Sequence, residues 1–152
     1  MDKSKPKLFC RKATLKDINL FYDWLNDSEV RKNSLSKKKN ITWNSHKAWF
    51  KKKIKNKKAI FYIFSTTDSD IGQVRFEIKN KITTISYLIC KSFRGKKLSK
   101  IMLSQAIKRY KPKKGTALLG KVKKRNFPSI KVFKSLGFDF KLNKIYYFKK
   151  NY

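Results

Sequence analysis

Between Ala59 and Cys90 three strand-like runs follow one another with only short turns between them, and any fold for this chain must accommodate them as an antiparallel meander. AIFYIFS (59–65) is dense in β-branched and aromatic residues, as a buried strand requires. TTDSD turns the chain into IGQVRFEI (71–78), and Asn80-Lys81 turns it again into ITTISYLIC (82–90). Directly after the third run comes SFRGKKLSKIMLSQAI (92–107), a basic turn that becomes apolar at helical spacing. The spacing predicts a helix from about Leu98 to Tyr110, ended by Pro112.

The flanks fill out one α+β domain over residues 1–152. KLFCRKA alternates as a first strand. Thr14 is placed to cap a helix that carries Leu15, Ile18, Leu20, Phe21, Trp24 and Leu25 on one face. NDSEVRKNSLSKKKN reads as a polar loop or a weak helical turn. Asn44 or Ser45 then caps a second helix with Ala48, Trp49, Phe50 and Ile54. Downstream, TALLGKV is a short strand and NFPSIKVFKSL a helix with Pro128 in its first turn and Gly137 at its end. FDFKL and KIYYFKK close the chain as a hairpin-like pair around Asn143. The expected order is β-α-α-β-β-β-α-β-α-β-β.

Charge narrows the partners. Forty-one Lys and Arg against nine Asp and Glu give +32, a field that attracts RNA, DNA, anionic lipid and phosphorylated metabolites. The lysines are spread over every segment, so diffuse charge from AT-rich coding is favoured over a dedicated nucleic-acid face. With 40% apolar residues the chain has a core to bury, which argues against disorder. Cys10 and Cys90 form no CxxC and His46 is the single histidine, so no metal site is expected and the thiols read as reduced. No apolar segment follows the basic N-terminus and none approaches about 20 residues, so neither a secretory signal nor a membrane span is expected and the cytoplasm is the expected location.

FRGKKLS sits where a buried strand ends and a helix begins, the setting in which inward amides and a helix dipole bind phosphate. Arg94 and Lys96 add charge there and Gly95 permits close approach. Alone, such a turn is more often an ordinary connection. NFPSIKVFKSLGF (126–138) adds the pattern N-x-x-[SA]-x-x-x-[YF]-x-x-x-G-F. Together the two segments resemble the GNAT acetyltransferase superfamily, over about Leu8 to Tyr147. The resemblance implies a mixed, mainly antiparallel twisted sheet flanked by helices, with acetyl-CoA as acyl donor. Its pyrophosphate loop reads [QR]-x-x-G-x-[GA]; here Arg94 fills the first position, Lys97 replaces the glycine and Ser99 the last small residue. Carried over position by position, the cofactor contacts are Leu88, Ile89, Arg94, Gly95, Lys96, Lys97, Leu98, Ser99, Asn126 and Phe133. In the family a bulge in the fourth strand, matched by Leu88 and Ile89, exposes an N–H that polarises the acetyl carbonyl. A tyrosine in the last helix commonly protonates the leaving thiolate. Phe133 has no proton to give, so that role is absent or falls to water or to Tyr87.

RKATLKDINLFYDWLNDSEVRKNS, SHKAWF and IGQVRFEI look like the GNAT subgroup that acetylates nucleotide-linked amino sugars. That resemblance implies the 4-amino group of a UDP-linked 4-amino-4,6-dideoxy sugar as acceptor. Glu77 and His46 are the candidate bases, with ion pairing to lysine and simple surface exposure as their plainer readings. Asn26, Asp27, Arg31 and Ser34 lie between the first two helices, on the expected acceptor side. Arg31 and Arg75 are candidates for the UDP phosphates and Trp43 or Trp49 for stacking on uracil, with core packing the alternative for the tryptophans. Two other functions stay open: a protein N-terminal or ribosomal-protein acetyltransferase, and a non-catalytic basic RNA-binding module on the same fold.

Overall fold

The computed structural model describes residues 6–36 and 40–152; part of the SLSKKKN segment lies outside the described residues. The strands are β1 (Phe9–Lys12), β2 (Ala59–Ser65), β3 (Asp70–Lys79), β4 (Ile82–Ile89), β5 (Ala117–Val122), β6 (Asp139–Leu142) and β7 (Tyr146–Asn151). The helices are α1 (Ile18–Asn26), α2 (Ser28–Asn33), α3 (Trp43–Lys55), α4 (Leu98–Tyr110) and α5 (Phe127–Ser135). The expected order holds with one addition, the short α2, in the segment read as a loop or weak turn. The helix survives because the Asp27 carboxylate accepts from the Glu29 and Val30 N–H groups at its start.

Two caps differ from expectation. Thr14 opens a 3-10 turn (Leu15–Asp17) before α1, and its own N–H donates to Asp17, which Arg11 holds in a two-pronged ion pair at 2.8 and 2.9 Å. Helix α3 is capped by Thr42, whose hydroxyl accepts from the Ser45 N–H, so Asn44 and Ser45 lie inside its first turn.

All seven strands form one sheet in the order β1-β2-β3-β4-β5-β7-β6. The meander β2-β3-β4 is antiparallel, and β3 runs against β4 without a register shift from Gly72↔Ile89 to Lys79↔Ile82. Among the described residues the single parallel pair is β4 with β5, joined at Ile82↔Ala117, Thr83↔Leu118 and Thr84↔Leu119. Beyond Thr84 the two strands part. A core of Phe64, Val74, Phe76, Ile85, Met102, Leu103 and Phe133 fills the face under α4 and α5, while Phe21, Trp24, Phe50, Phe61, Ile63 and Leu88 fill the opposite face under α1 and α3. Among the described residues no helix is long and apolar enough to cross a membrane.

Candidate functional site

The parting of β4 from β5 makes a slot, and strand alternation shows which main-chain groups face it. The Cys90 N–H donates to Ile71 on β3, so Leu88, two residues earlier, also turns its N–H toward β3. Tyr87 and Ile89 therefore turn theirs toward the open side. This corrects the bulge: β4 is regular against β3, and of the pair Leu88 and Ile89 only Ile89 presents an amide to the slot. Gly72, opposite Ile89, permits this close approach of β3 and β4, since a Cβ there would lie 2.3 Å from the Leu88 carbonyl oxygen.

A 3-10 turn (Lys91–Phe93) carries the chain from the slot into the basic loop. Among the described residues, only the Arg94 amide of this loop makes a main-chain hydrogen bond, to the Lys91 carbonyl. Gly95 takes φ +76 and Lys97 φ +59, which curves the loop over the start of α4. The family's glycine position thus keeps its left-handed backbone even as lysine, at a cost of roughly 1 kcal/mol. Leu98 is buried and anchors the first turn of α4, whose leading N–H groups have no helical partner.

Tyr87 lies on the α4–α5 face. Its hydroxyl shares a 2.8 Å hydrogen bond with Ser129 and also meets Ser99, so it bridges the first turns of α4 and α5. Burial pushes this phenol above its usual pKa, against the opposing effect of the two serines. Asn126 caps α5, its side-chain oxygen accepting from the Ser129 N–H. Phe133 is core: its ring tip packs over Gly120 and stacks on Phe148 at 5.2 Å.

On the opposite face a cavity of about 260 Å³ is framed by Asp23, Trp24, Asp27, Val30, Leu88, Ile89 and Arg94. Several acceptor-side expectations change here. The Asn26 amide donates to the Ile41 carbonyl and accepts from the Ile41 N–H, which pins that segment to α1. Asp27 caps α2 and pairs with Arg94 at 2.6 Å; burial would raise its pKa, but Arg94 and the capping amides hold it below normal. His46 is not a surface residue. It is 1% exposed, its Nε2 donates to the Ile18 carbonyl, and it is ringed by Tyr22, Trp43, Trp49 and Phe50. Burial lowers its pKa despite that bond, and no acceptor amine reaches it.

Glu77 pairs with Lys53 and lies 3.8 Å from the Arg75 guanidinium. Burial would raise its pKa, yet these cations bring it below normal, which makes it a weak base. It stands opposite Thr84, five residues before Ile89, or about 16 Å along the strand. The Arg75 guanidinium lies beside both the Trp49 and Phe61 rings, at 5.7 and 5.9 Å, and among the described residues neither its Nε nor the buried Arg31 Nε has a hydrogen-bond partner. Burial lowers both guanidiniums from their ordinary pKa.

Sequence reasoning missed Asp23, Ser129 and Gly72. Asp23 lies on the polar face of a helix and Gly72 inside a strand pattern, where neither shows its partner. Ser129 occupies the [SA] position of the α5 pattern, which was the available signal.

The uncommitted loop amides, the left-handed Lys97, the α4 N-terminus and the open strand edge suit a diphosphate carried on an extended arm, so the residues present fit acetyl-CoA. No curated protein matches the chain by sequence. By fold it is similar to a domain from Methanocaldococcus jannaschii (21% identity, TM-score 0.80, covering 97% of this chain and 100% of that one). It is also similar to spermidine N-acetyltransferase from Vibrio cholerae with CoA and spermine (12% identity, TM-score 0.80, 93% and 92% covered). A third similar structure is the ribosomal L7/L12 α-N-protein acetyltransferase with coenzyme A (15% identity, TM-score 0.80, 97% and 95% covered). The acetyltransferase (GNAT) domain model matches residues 7–139. The chain therefore belongs to the GNAT family and is an acetyl-CoA-dependent N-acetyltransferase.

Proposed function

We propose that this enzyme acetylates the primary amine of a small phosphate-bearing metabolite, with a UDP-linked amino sugar as acceptor. The observation that carries the reading is the two arginines, Arg31 and Arg75, whose buried Nε atoms have no hydrogen-bond partner among the described residues, the nearest acceptor to Arg75 being Glu77 at 3.8 Å. A buried donor without an acceptor costs stability, and a phosphate oxygen offsets that cost through a charge-assisted bond. Arg75 stands opposite Ser86, three residues before Ile89, so about 10 Å separates it along the strand from the slot amide. A sugar ring between amine and phosphate spans that interval. Trp49, half-buried beside Arg75, offers a flat face to a base. The net charge of +32 attracts such acceptors and repels polycations.

Acetyl-CoA supplies the activated acetyl thioester. The Ile89 N–H holds the carbonyl oxygen where negative charge develops. The Tyr87 hydroxyl, kept protonated by burial, donates toward the leaving sulfur; a thiol with pKa near 8.5 needs no complete proton transfer to depart. Asp23, a cavity carboxylate with no ion pair among the described residues, receives the amine's proton through water. Glu77 balances Lys53 and Arg75 rather than acting as the base.

The test is free-thiol release with acetyl-CoA and a panel of UDP-amino sugars, spermidine and N-terminal peptides. The expected result is turnover with the sugar nucleotide, with Arg75→Ala raising its KM at least 10-fold. Preferential turnover of spermidine or a peptide would overturn the reading.

A further inference from the structure

A strand edge left without a partner must have its carbonyls satisfied, or water fills the gap. At the end of β4 that carbonyl is Ile89's, and it accepts from the Arg94 Nε at 3.1 Å. The same guanidinium donates through its NH2 nitrogen to the Asp27 Oδ1 at 2.6 Å. That oxygen also accepts from the Glu29 and Val30 N–H groups, both at 3.1 Å, so a single carboxylate oxygen joins the guanidinium to the start of α2. The resemblance placed Arg94 among the phosphate contacts. Its side chain instead points inward, with 30% of it exposed, and leaves a diphosphate to the loop amides and lysines.

We propose that Arg94 is a positioning residue that takes the place of the missing partner strand, holding the Ile89 edge open and tying it to α2 through Asp27. The chemistry of the group explains why arginine suits the position. A guanidinium has five donors and no acceptor, so it satisfies the Ile89 carbonyl but cannot bond the neighbouring N–H. A lysine lacks the rigid fork needed to reach the carbonyl and Asp27 at fixed geometry. The Asp27 carboxylate stays ionised because Arg94 and two amides hold its pKa down, so the tie persists at neutral pH. Through it, the α1–α2 corner that frames the acceptor cavity moves with the end of β4.

The inference rests on the reading of Ile89 as the amide that meets the acetyl carbonyl, and its test separates the two. Arg94→Lys, Arg94→Met and Asp27→Asn are compared with the parent protein in three measurements: CoA affinity by calorimetry, the Ile89 amide resonance by 15N NMR without ligand, and kcat with the acceptor that turns over. CoA affinity is expected to stay within 3-fold in all three variants. The Ile89 resonance shifts in all three, and kcat falls about 100-fold in the Arg94 variants and about 10-fold in Asp27→Asn. A CoA affinity lowered 10-fold or more by Arg94→Lys, with the Ile89 resonance unmoved, would make Arg94 a phosphate ligand and overturn the proposal. Unchanged kcat beside a shifted Ile89 resonance would overturn the catalytic reading of Ile89 while leaving the tie in place.

Discussion

Gly72 offers the sharpest perturbation of the slot. It faces the core under α4, and a Cβ built there lies 2.3 Å from the Leu88 carbonyl oxygen, 3.0 Å from the Met102 Cε and 3.2 Å from the Ile89 Cα. The methionine tip can swing aside. The other two atoms belong to the main chain of β4, so in Gly72→Ala the strand itself must retreat. Reaching even a 3.0 Å contact takes a displacement of roughly 0.7 Å at Leu88. Overpacking of this kind costs about 1–3 kcal/mol, which for a chain of this size lowers Tm by roughly 2–12 °C. Because the moved segment carries the Ile89 amide, a shift approaching 1 Å also lowers kcat by about 100-fold. Phe76→Leu, which truncates the same core face opposite Ile85, serves as the comparison: it loses stability while leaving the end of β4 alone. The assays are thermal unfolding and thiol release well below both melting temperatures. The reasoning is refuted if Gly72→Ala melts lower but turns over at the parent rate, since β4 would then have moved without consequence for the reaction.

Three further outcomes are expected. Tyr87→Phe keeps the ring and removes the hydroxyl held by Ser99 and Ser129, so kcat falls about 100-fold at unchanged CoA affinity, whereas an unaffected kcat would make the hydroxyl a purely structural link. Lys97→Gly relieves the left-handed strain, raising stability in denaturant titrations by up to about 1 kcal/mol, while CoA affinity drops several-fold with the lost ammonium; a tighter complex would show that the lysine obstructs the loop. His46 is held neutral, its folded pKa below the 6.5 it has when unfolded, so its contribution is complete above pH 6.5 and is lost as pH falls below that value. Denaturant midpoints followed downward from pH 7.5 reveal that loss in the parent, and His46→Phe flattens it.

The strands of the meander and the Leu98–Tyr110 helix were legible because their patterns are long and their ends carry strong signals, Pro112 above all. Helix α2 was not, because its stability comes from one capping carboxylate that a polar segment does not advertise. The place of the loop, between β4 and α4, followed from motif spacing, whereas the left-handed backbone at Lys97 came only from the structure. The pairing of Glu77 with a lysine was also expected, but the fates of Asn26, Asp27 and His46 were not. Each of these three is a polar side chain whose partner lies elsewhere in the fold, at Ile41, Arg94 and Ile18, and a single sequence does not state which distant residues meet. The regular register of β3 on β4 was hidden for the same reason: the slot arises from where β5 stops pairing rather than from an extra residue in β4.

The most direct test follows main-chain amides by 15N NMR as CoA, and separately acetyl-CoA, is titrated into the protein. Both ligands are predicted to move the amides of Gly95, Lys97, Leu98 and Ser99, and acetyl-CoA alone to move that of Ile89 strongly downfield, as a hydrogen bond to the acetyl oxygen requires. An Ile89 amide indifferent to the acetyl group, or a loop indifferent to both ligands, would contradict the account.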